Sequence, residues 1–277
     1  GAAVQMIRRA RGFAPVPLKL ARTSANPEAA AVPEDAAAPE AIGAACHEDS
    51  PETAGHEAAA VAPVLFAAGS EQKSTFAFVR GSEAFVSQHV GDLENAEAFD
   101  AWLDAKSRFE KLFELRAARL ACDAHPEYLA SKWAREQARK LNIPLVEVQH
   151  HHAHIASVIG ENGLSGAVCG IAFDGTGFGA DGSIWGGEVL LANAQAYERF
   201  ANFAYAPMPG GAACVKNPLR MAYGVLWEFD LLEHPAAKRV LDVLGEQAEL
   251  CDQMIERGLN TPMTSSVGRL FDAASAI

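Results

Sequence analysis

Residues 167–191 read AVCGIAFDGTGFGADGSIWGGEVLL. Ala167–Phe173 is a short continuous apolar run, the pattern of a buried strand, and it ends on Asp174. Gly175-Thr-Gly-Phe-Gly179 has the look of a phosphate loop, but a dinucleotide fingerprint needs a helix after its glycines. Ser183–Leu191 alternates as a strand instead, so that reading fails. The pattern predicts a hairpin whose turn, Asp174–Gly182, is rich in glycine. Glycines in such a turn still let backbone N–H groups approach an anion. A third strand is predicted at Arg199–Ala204.

The same opening stands a hundred residues earlier. Val64–Ala68 is an apolar run, Gly69–Ser74 a polar turn, and Thr75–Arg80 and Glu83–Gln88 read as strands. Helical spacing follows over Glu94–Leu115, carried by Leu93, Phe99, Trp102, Leu103, Phe109, Leu112 and Phe113. Next come a strand at Leu120–Cys122, a helix over Pro126–Leu141 with proline at its start, a strand at Leu145–Val148, and a helix over His151–Asn162 closed by Gly163. Two facing units of this β-β-β-α-β-α order describe an α/β fold, the actin-like or sugar-kinase-like ATPase architecture (RNase H-like halves, duplicated). In it, nucleotide phosphates lie between the two opening hairpins. After Arg199–Ala204 only helical patterns remain, so the second half is expected to be truncated, without its closing strands.

Of the 277 residues, 49% are hydrophobic and 21% charged, the balance of a soluble globular protein. No apolar run approaches a membrane span, and no signal peptide is expected from residues 1–20, which have no apolar core after their arginines. Five cysteines lie far apart with no C-x-x-C pair, which indicates neither a zinc ribbon nor a disulfide framework. A cytoplasmic protein is expected. The net charge of −12 is uneven: Ala25–Ala62 holds eight acidic residues and no Lys or Arg, leaving −4 for the rest. A body of that charge lacks the broad positive field of a nucleic-acid binder. The acidic stretch also has fifteen alanines, four prolines and no aromatic residue, so residues 21–60 are expected to be a flexible linker. Residues 1–20 look like the end of a preceding domain, 61–163 the first half of the folded body, and 164–277 its incomplete second half.

The richest segment is Val148-Gln-His-His-His-Ala-His-Ile155. His150 and His154 are four apart at a strand end leading into a helix, so they project from one face and can share one metal ion. Imidazole suits Zn, Fe, Ni or Cu, so the pair does not name the metal. The competing reading is a polar helix start whose histidines meet water. His151 and His152 point elsewhere. Asp174, at the next strand end, is the third candidate ligand; a His/His/Asp set leaves positions open for substrate. Lys73, beside Ser74 and Thr75 in the first turn, suits a phosphate or an acyl oxyanion, although an exposed turn lysine is the default. Pro209-Gly-Gly211 is a loop able to pack near a ligand. Ser265 or Ser266 caps a final helix, which carries Asp272 towards either ribose hydroxyls or water.

Six segments together resemble the HypF carbamoyltransferases of NiFe-hydrogenase maturation: GSEQKSTF (69–76), SQHVGDLEN (87–95), ACDAHPEYLAS (121–131), VQHHHAHIAS (148–157), AFDGTGFGADGSIWGGE (172–188) and SSVGRLFDA (265–273). The resemblance implies a TsaD-like domain, preceded at 1–20 by a remnant of a YrdC-like domain. It implies ATP and carbamoyl phosphate as substrates, with the carbamoyl group passing from carbamoyl-adenylate to the C-terminal cysteine of HypE. HypE then dehydrates the product towards the cyanide ligands of the hydrogenase iron. It also implies a divalent Fe or Zn ion on His150, His154 and Asp174, and nucleotide contacts from Gly175, Thr176, Gly177 and Asp272. Lys73 and Asp174 are the catalytic candidates. Two departures stand out: Ala212 where members often have an acidic residue, and Asn217-Pro218 where they have Glu-Pro. Alternatives are a tRNA threonylcarbamoyl transferase of the TsaD type, a small-molecule O-carbamoyltransferase and a noncatalytic ATP-binding scaffold.

Overall fold

The computed structural model describes Leu18–Lys19 and residues 63–277; the expected linker and most of the expected remnant lie outside the described residues. The first sheet is built from β2 (Val64–Ala67), β3 (Ala77–Arg80) and β4 (Glu83–Val86), an antiparallel meander. β1 (Leu18–Lys19) pairs with the outer side of β4. On the other side β5 (Ala117–Asp123) and β6 (Leu145–Val148) add in parallel, giving the order β1-β4-β3-β2-β5-β6. Helices α1 (Ala96–Leu112), α2 (Leu129–Leu141) and α3 (His150–Asn162) complete this half. Asn95 caps α1, its side-chain oxygen accepting the Ala98 N–H. Gly163 closes α3 in the left-handed conformation, as the sequence predicts. An aromatic cluster of Phe66, Phe76, Phe78, Trp102 and Phe109 fills the space between sheet and helices.

The second half repeats the opening with β7 (Val168–Phe178), β8 (Ile184–Ala192) and β9 (Tyr197–Asn202), again antiparallel. β10 (Ala206–Pro207) and β11 (Met263–Thr264) extend the far end of β8. Helices α4 (Ala212–Lys216), α5 (Pro218–Glu228), α6 (Lys238–Leu244), α7 (Glu246–Glu256) and α8 (Val267–Ala276) gather around a core of Met208, Met221, Ala222, Leu226 and Ala273. Among the described residues no strand pairs with the outer edge of β7, where the first half has β5 beside β2. On the open face of this sheet Ile171, Phe173 and Phe203 are exposed.

Three expectations need correction. Asp174–Phe178 is strand rather than turn: β7 runs on, with a register shift between Phe173 and Gly177 that accommodates Asp174–Thr176 opposite Gly186. α2 begins at Leu129, not Pro126. The Asp123 carboxylate accepts the His125 N–H and the His125 ring accepts the Glu127 N–H, and these local bonds hold the backbone off the helical path. Finally, the stretch after Arg199–Ala204 is not wholly helical, because β10 and β11 lie within it.

The approach of α5 to β10 requires a glycine. A side chain at Gly224 would collide with the Pro207 carbonyl oxygen. Gly224→Ala is expected to cost about 1–3 kcal/mol by overpacking, read as a lower urea midpoint at unchanged m-value.

Candidate metal and nucleotide site

Parallel pairing of β5 and β6 sets Asp123 beside Val148, at the strand ends that point to the junction of the two halves. α3 starts directly after β6, with Gln149 as its cap: the Gln149 side-chain Oε1 accepts the His152 N–H at 3.0 Å. One turn of helix then brings His150 and His154 together, their Nε2 atoms 3.2 Å apart. α3 packs through Ile155 and Ile159 onto Ala172 and Leu190 of the second sheet, and this carries β7 and its Asp174 to the histidines. Asp174 Oδ2 lies 3.1 Å from His150 Nε2. The three ligand atoms of His150, His154 and Asp174 all fall within 4.8 Å of one another. Two imidazole nitrogens and a carboxylate oxygen at this separation suit a first-row divalent ion, whose bonds to such donors run at roughly 2.0–2.2 Å.

His151 is wholly buried and faces the cluster from behind. The Gln149 amide, which donates to the Phe178 carbonyl, also lies 3.1 Å from His151 Nδ1. An amide N–H there makes Nδ1 the acceptor and leaves the ring proton on Nε2, 3.8 Å from Asp174 Oδ2. Gly177 makes room for this ring, since a Cβ there would sit 2.5 Å from His151 Nε2.

Burial pulls the His150 pKa down, but the hydrogen bonds to Asp123 and Asp174 outweigh it and push it up to about 9. Burial likewise acts to raise Asp174, yet His150 and the Gly175 N–H hold it at about 2. Burial and the neighbouring His150 charge lower His151 to about 4 and also lower His154. At neutral pH the metal-free cluster thus has the His150 imidazolium set between the Asp123 and Asp174 side chains. Because the His150 value is raised, its stabilisation is complete below pH 6.5 and is lost as pH climbs through about 9. Asp174 acts oppositely, its share vanishing only as pH falls from 3.8 through about 2. Metal-free protein is expected to lose on the order of 2 kcal/mol from His150 between pH 6 and 9.5. Urea denaturation with chelator present, compared between wild type and His150→Gln, should show that slope only in wild type.

The nucleotide candidates divide. Gly175 and Thr176 lie in the irregular stretch of β7 just after Asp174, and the start of α8 packs on it. The Ser266 hydroxyl sits 2.7 Å from the Asp174 carbonyl oxygen and 2.8 Å from that of Gly175, and it also caps α8 by accepting the Arg269 N–H. Gly268 is needed here, because a Cβ on it would come within 3.0 Å of Gly175 Cα. Asp272, one turn further along α8, pairs with Arg269 at 3.0 Å. Lys73 is not brought into bonding contact with the cluster: it is exposed in the turn after β2, and its backbone N–H donates to Asp92. Sequence reasoning missed Asp123, which bonds His150, and the pair Glu188–Arg199 that braces β8. Asp123 lies at the end of β5 next to Val148, a juxtaposition set by the β5–β6 register.

Two family profiles match the chain. One, described as "HypF Kae1-like domain", matches residues 60–161, and the other, "Carbamoyltransferase, Kae1-like Domain, second subdomain", matches 170–277. The chain belongs to the HypF carbamoyltransferase family. Carbamoyltransferase HypF2 of Cupriavidus necator is 36% identical over 99% of this chain and 29% of its own length. Carbamoyltransferase HypF of Rhizobium leguminosarum is 37% identical over 78% of this chain and 27% of its own. A crystal structure of full-length HypF in a phosphate- and nucleotide-bound form superposes with a TM-score of 0.72 at 38% identity, over 78% of this chain and 28% of that one. The chain therefore spans less than a third of the length of these HypF relatives, and its two halves are the duplicated α/β architecture of the Kae1-like domain. Among the described residues no helix is long and apolar enough to cross a membrane.

Proposed function

We propose that this chain is the carbamoyl-transferring part of a HypF-type enzyme, passing the carbamoyl group of carbamoyl-adenylate to the C-terminal cysteine of HypE in the cytoplasm. The observation that carries this reading is the convergence of His150, His154 and Asp174 beside Gly175–Gly177 and the start of α8. Carbamoyl phosphate and ATP supply the adenylate, whose nucleotide part would lie along Gly175, Thr176 and Gly177, with Asp272 near its ribose. His150, His154 and Asp174 would hold an iron or zinc ion, which when bound polarises the carbamoyl carbonyl as a Lewis acid. Asp174 is held ionised and the two Nε2 atoms lie 3.2 Å apart, so metal binding needs the His150 proton released but little movement of the side chains. Backbone N–H groups of the glycine stretch stabilise negative charge developing on the carbonyl oxygen. The HypE thiolate attacks the carbamoyl carbon, a C–S bond forms, the C–O bond to the phosphate breaks, and AMP leaves.

The body carries no strong positive field, which favours a thin protein tail over tRNA as acceptor. The test supplies full-length enzyme with ATP, carbamoyl phosphate and either HypE or unmodified tRNA, and weighs both acceptors. The expected result is a gain of about 43 Da on the HypE cysteine, H replaced by CONH2 in acyl transfer, with tRNA unchanged. Label on tRNA with HypE unmodified would overturn the assignment.

A further inference from the structure

We propose that Asp123 is a positioning residue for the metal site, accepting a hydrogen bond from the Nδ1–H of His150 so that Nε2 is the atom left to bind a metal ion. This rests on the metal-binding reading above. Asp123 ends β5, and its side chain is only 7% exposed. Its carboxylate is held from both sides. Oδ1 accepts the His125 N–H at 2.8 Å, and Oδ2 lies 2.8 Å from His150 Nδ1. The Asp123 carbonyl in turn accepts the Ser131 hydroxyl, tying the strand end to α2.

An ionised carboxylate only accepts hydrogen bonds, so the nitrogen facing it must carry a proton. With Nδ1 protonated, the lone pair of a neutral His150 ring lies on Nε2, the atom that faces Asp174 and His154. His154 has no such anchor. Among the described residues its ring bonds only His150, and the residue is exposed. The site is therefore asymmetric, with one ring fixed in tautomer and direction and one free to adapt. An outer carboxylate of this kind is typically worth 10–100-fold in metal affinity. The competing role for Asp123 is closure of the 123–127 turn through the His125 N–H alone.

Asp123→Asn separates the two roles. Its single carbonyl oxygen can serve the His125 N–H, but its NH2 group then faces His150 Nδ1 and favours the opposite tautomer. Zinc alone is titrated calorimetrically into the metal-free 277-residue chain and the variant, with circular dichroism to establish that both are folded. The expected result is a 10–100-fold weaker zinc affinity in Asp123→Asn; affinity within threefold of wild type overturns the proposal. Side-chain 15N–1H spectra of the metal-free proteins at about pH 10, where the ring is neutral, read its tautomer directly. A hydrogen-bonded proton on His150 Nδ1 is expected in wild type and not in the variant, and a bare Nδ1 in wild type overturns the proposal without reference to metal. If wild type takes up no zinc, the metal reading fails while the spectra still decide what Asp123 does to the ring. Should Asp123→Asn not fold, Asp123→Ser is read in the same two ways.

Discussion

In His154→Ala, zinc or iron uptake by the chain falls by at least about 100-fold, more than the loss of an outer-shell partner costs, and the fold is unchanged because the residue is exposed. His150→Ala loses metal to the same extent, but it also lowers stability. His150 neutralises two carboxylates, Asp123 at 2.8 Å and Asp174 at 3.1 Å, and removing it leaves both facing each other without a cation. Metal content by plasma mass spectrometry after dialysis, with urea midpoints measured in chelator, distinguishes the variants. Transfer activity of the full-length enzyme should disappear in both. Normal metal stoichiometry in His154→Ala would show that the convergence of these side chains has no part in ligation.

Arg199→Met is expected to lower folding stability by about 3–5 kcal/mol, the cost of stranding a buried charge. Glu188 is completely buried in β8 and accepts hydrogen bonds from the Gly186 and Gly187 N–H groups, from the Ser265 hydroxyl and from Arg199. Burial acts to raise its pKa, and these partners, Arg199 first, bring it below the ordinary carboxylate value. The guanidinium also donates to the Tyr205 hydroxyl and lies 3.9 Å over the Trp185 ring. The double variant Glu188→Gln/Arg199→Met should recover part of the loss, since no buried unpaired charge then remains and Asp181, which Arg199 also faces, is half exposed. If the single variant costs less than about 1 kcal/mol, the pair is as weak as a solvated surface bridge.

The helical step between His150 and His154 was legible in the sequence because four residues make one turn whatever surrounds it. Asp174 was legible because a carboxylate follows directly on an apolar strand run, although β7 continues past it to Phe178. Asp123 was not, because its link to His150 depends on β5 and β6 lying side by side in one register, which local pattern does not state. The course of Asp174–Phe178 was misread as a turn for a related reason. Glycine permits both a turn and an irregular strand, and the choice is made by the pairing of Gly177 with Trp185 across the sheet. Lys73 had a suggestive neighbourhood of hydroxyls, but its outward position follows from a left-handed backbone, φ 48°, that its residue type does not foretell.

The bare outer edge of β7 governs how this chain behaves in a test tube. Among the described residues no strand pairs with the outer side of Val168–Phe173 in β7, and this edge borders a face where Ile171 and Phe173 are each about 60% exposed; such an edge recruits further strands. Light scattering from the chain alone should rise with protein concentration and fall when Ile171 and Phe173 are both changed to Lys, charges being the ordinary protection of such edges. Purification at low concentration, or fusion of a soluble partner, is therefore a condition for every binding measurement above.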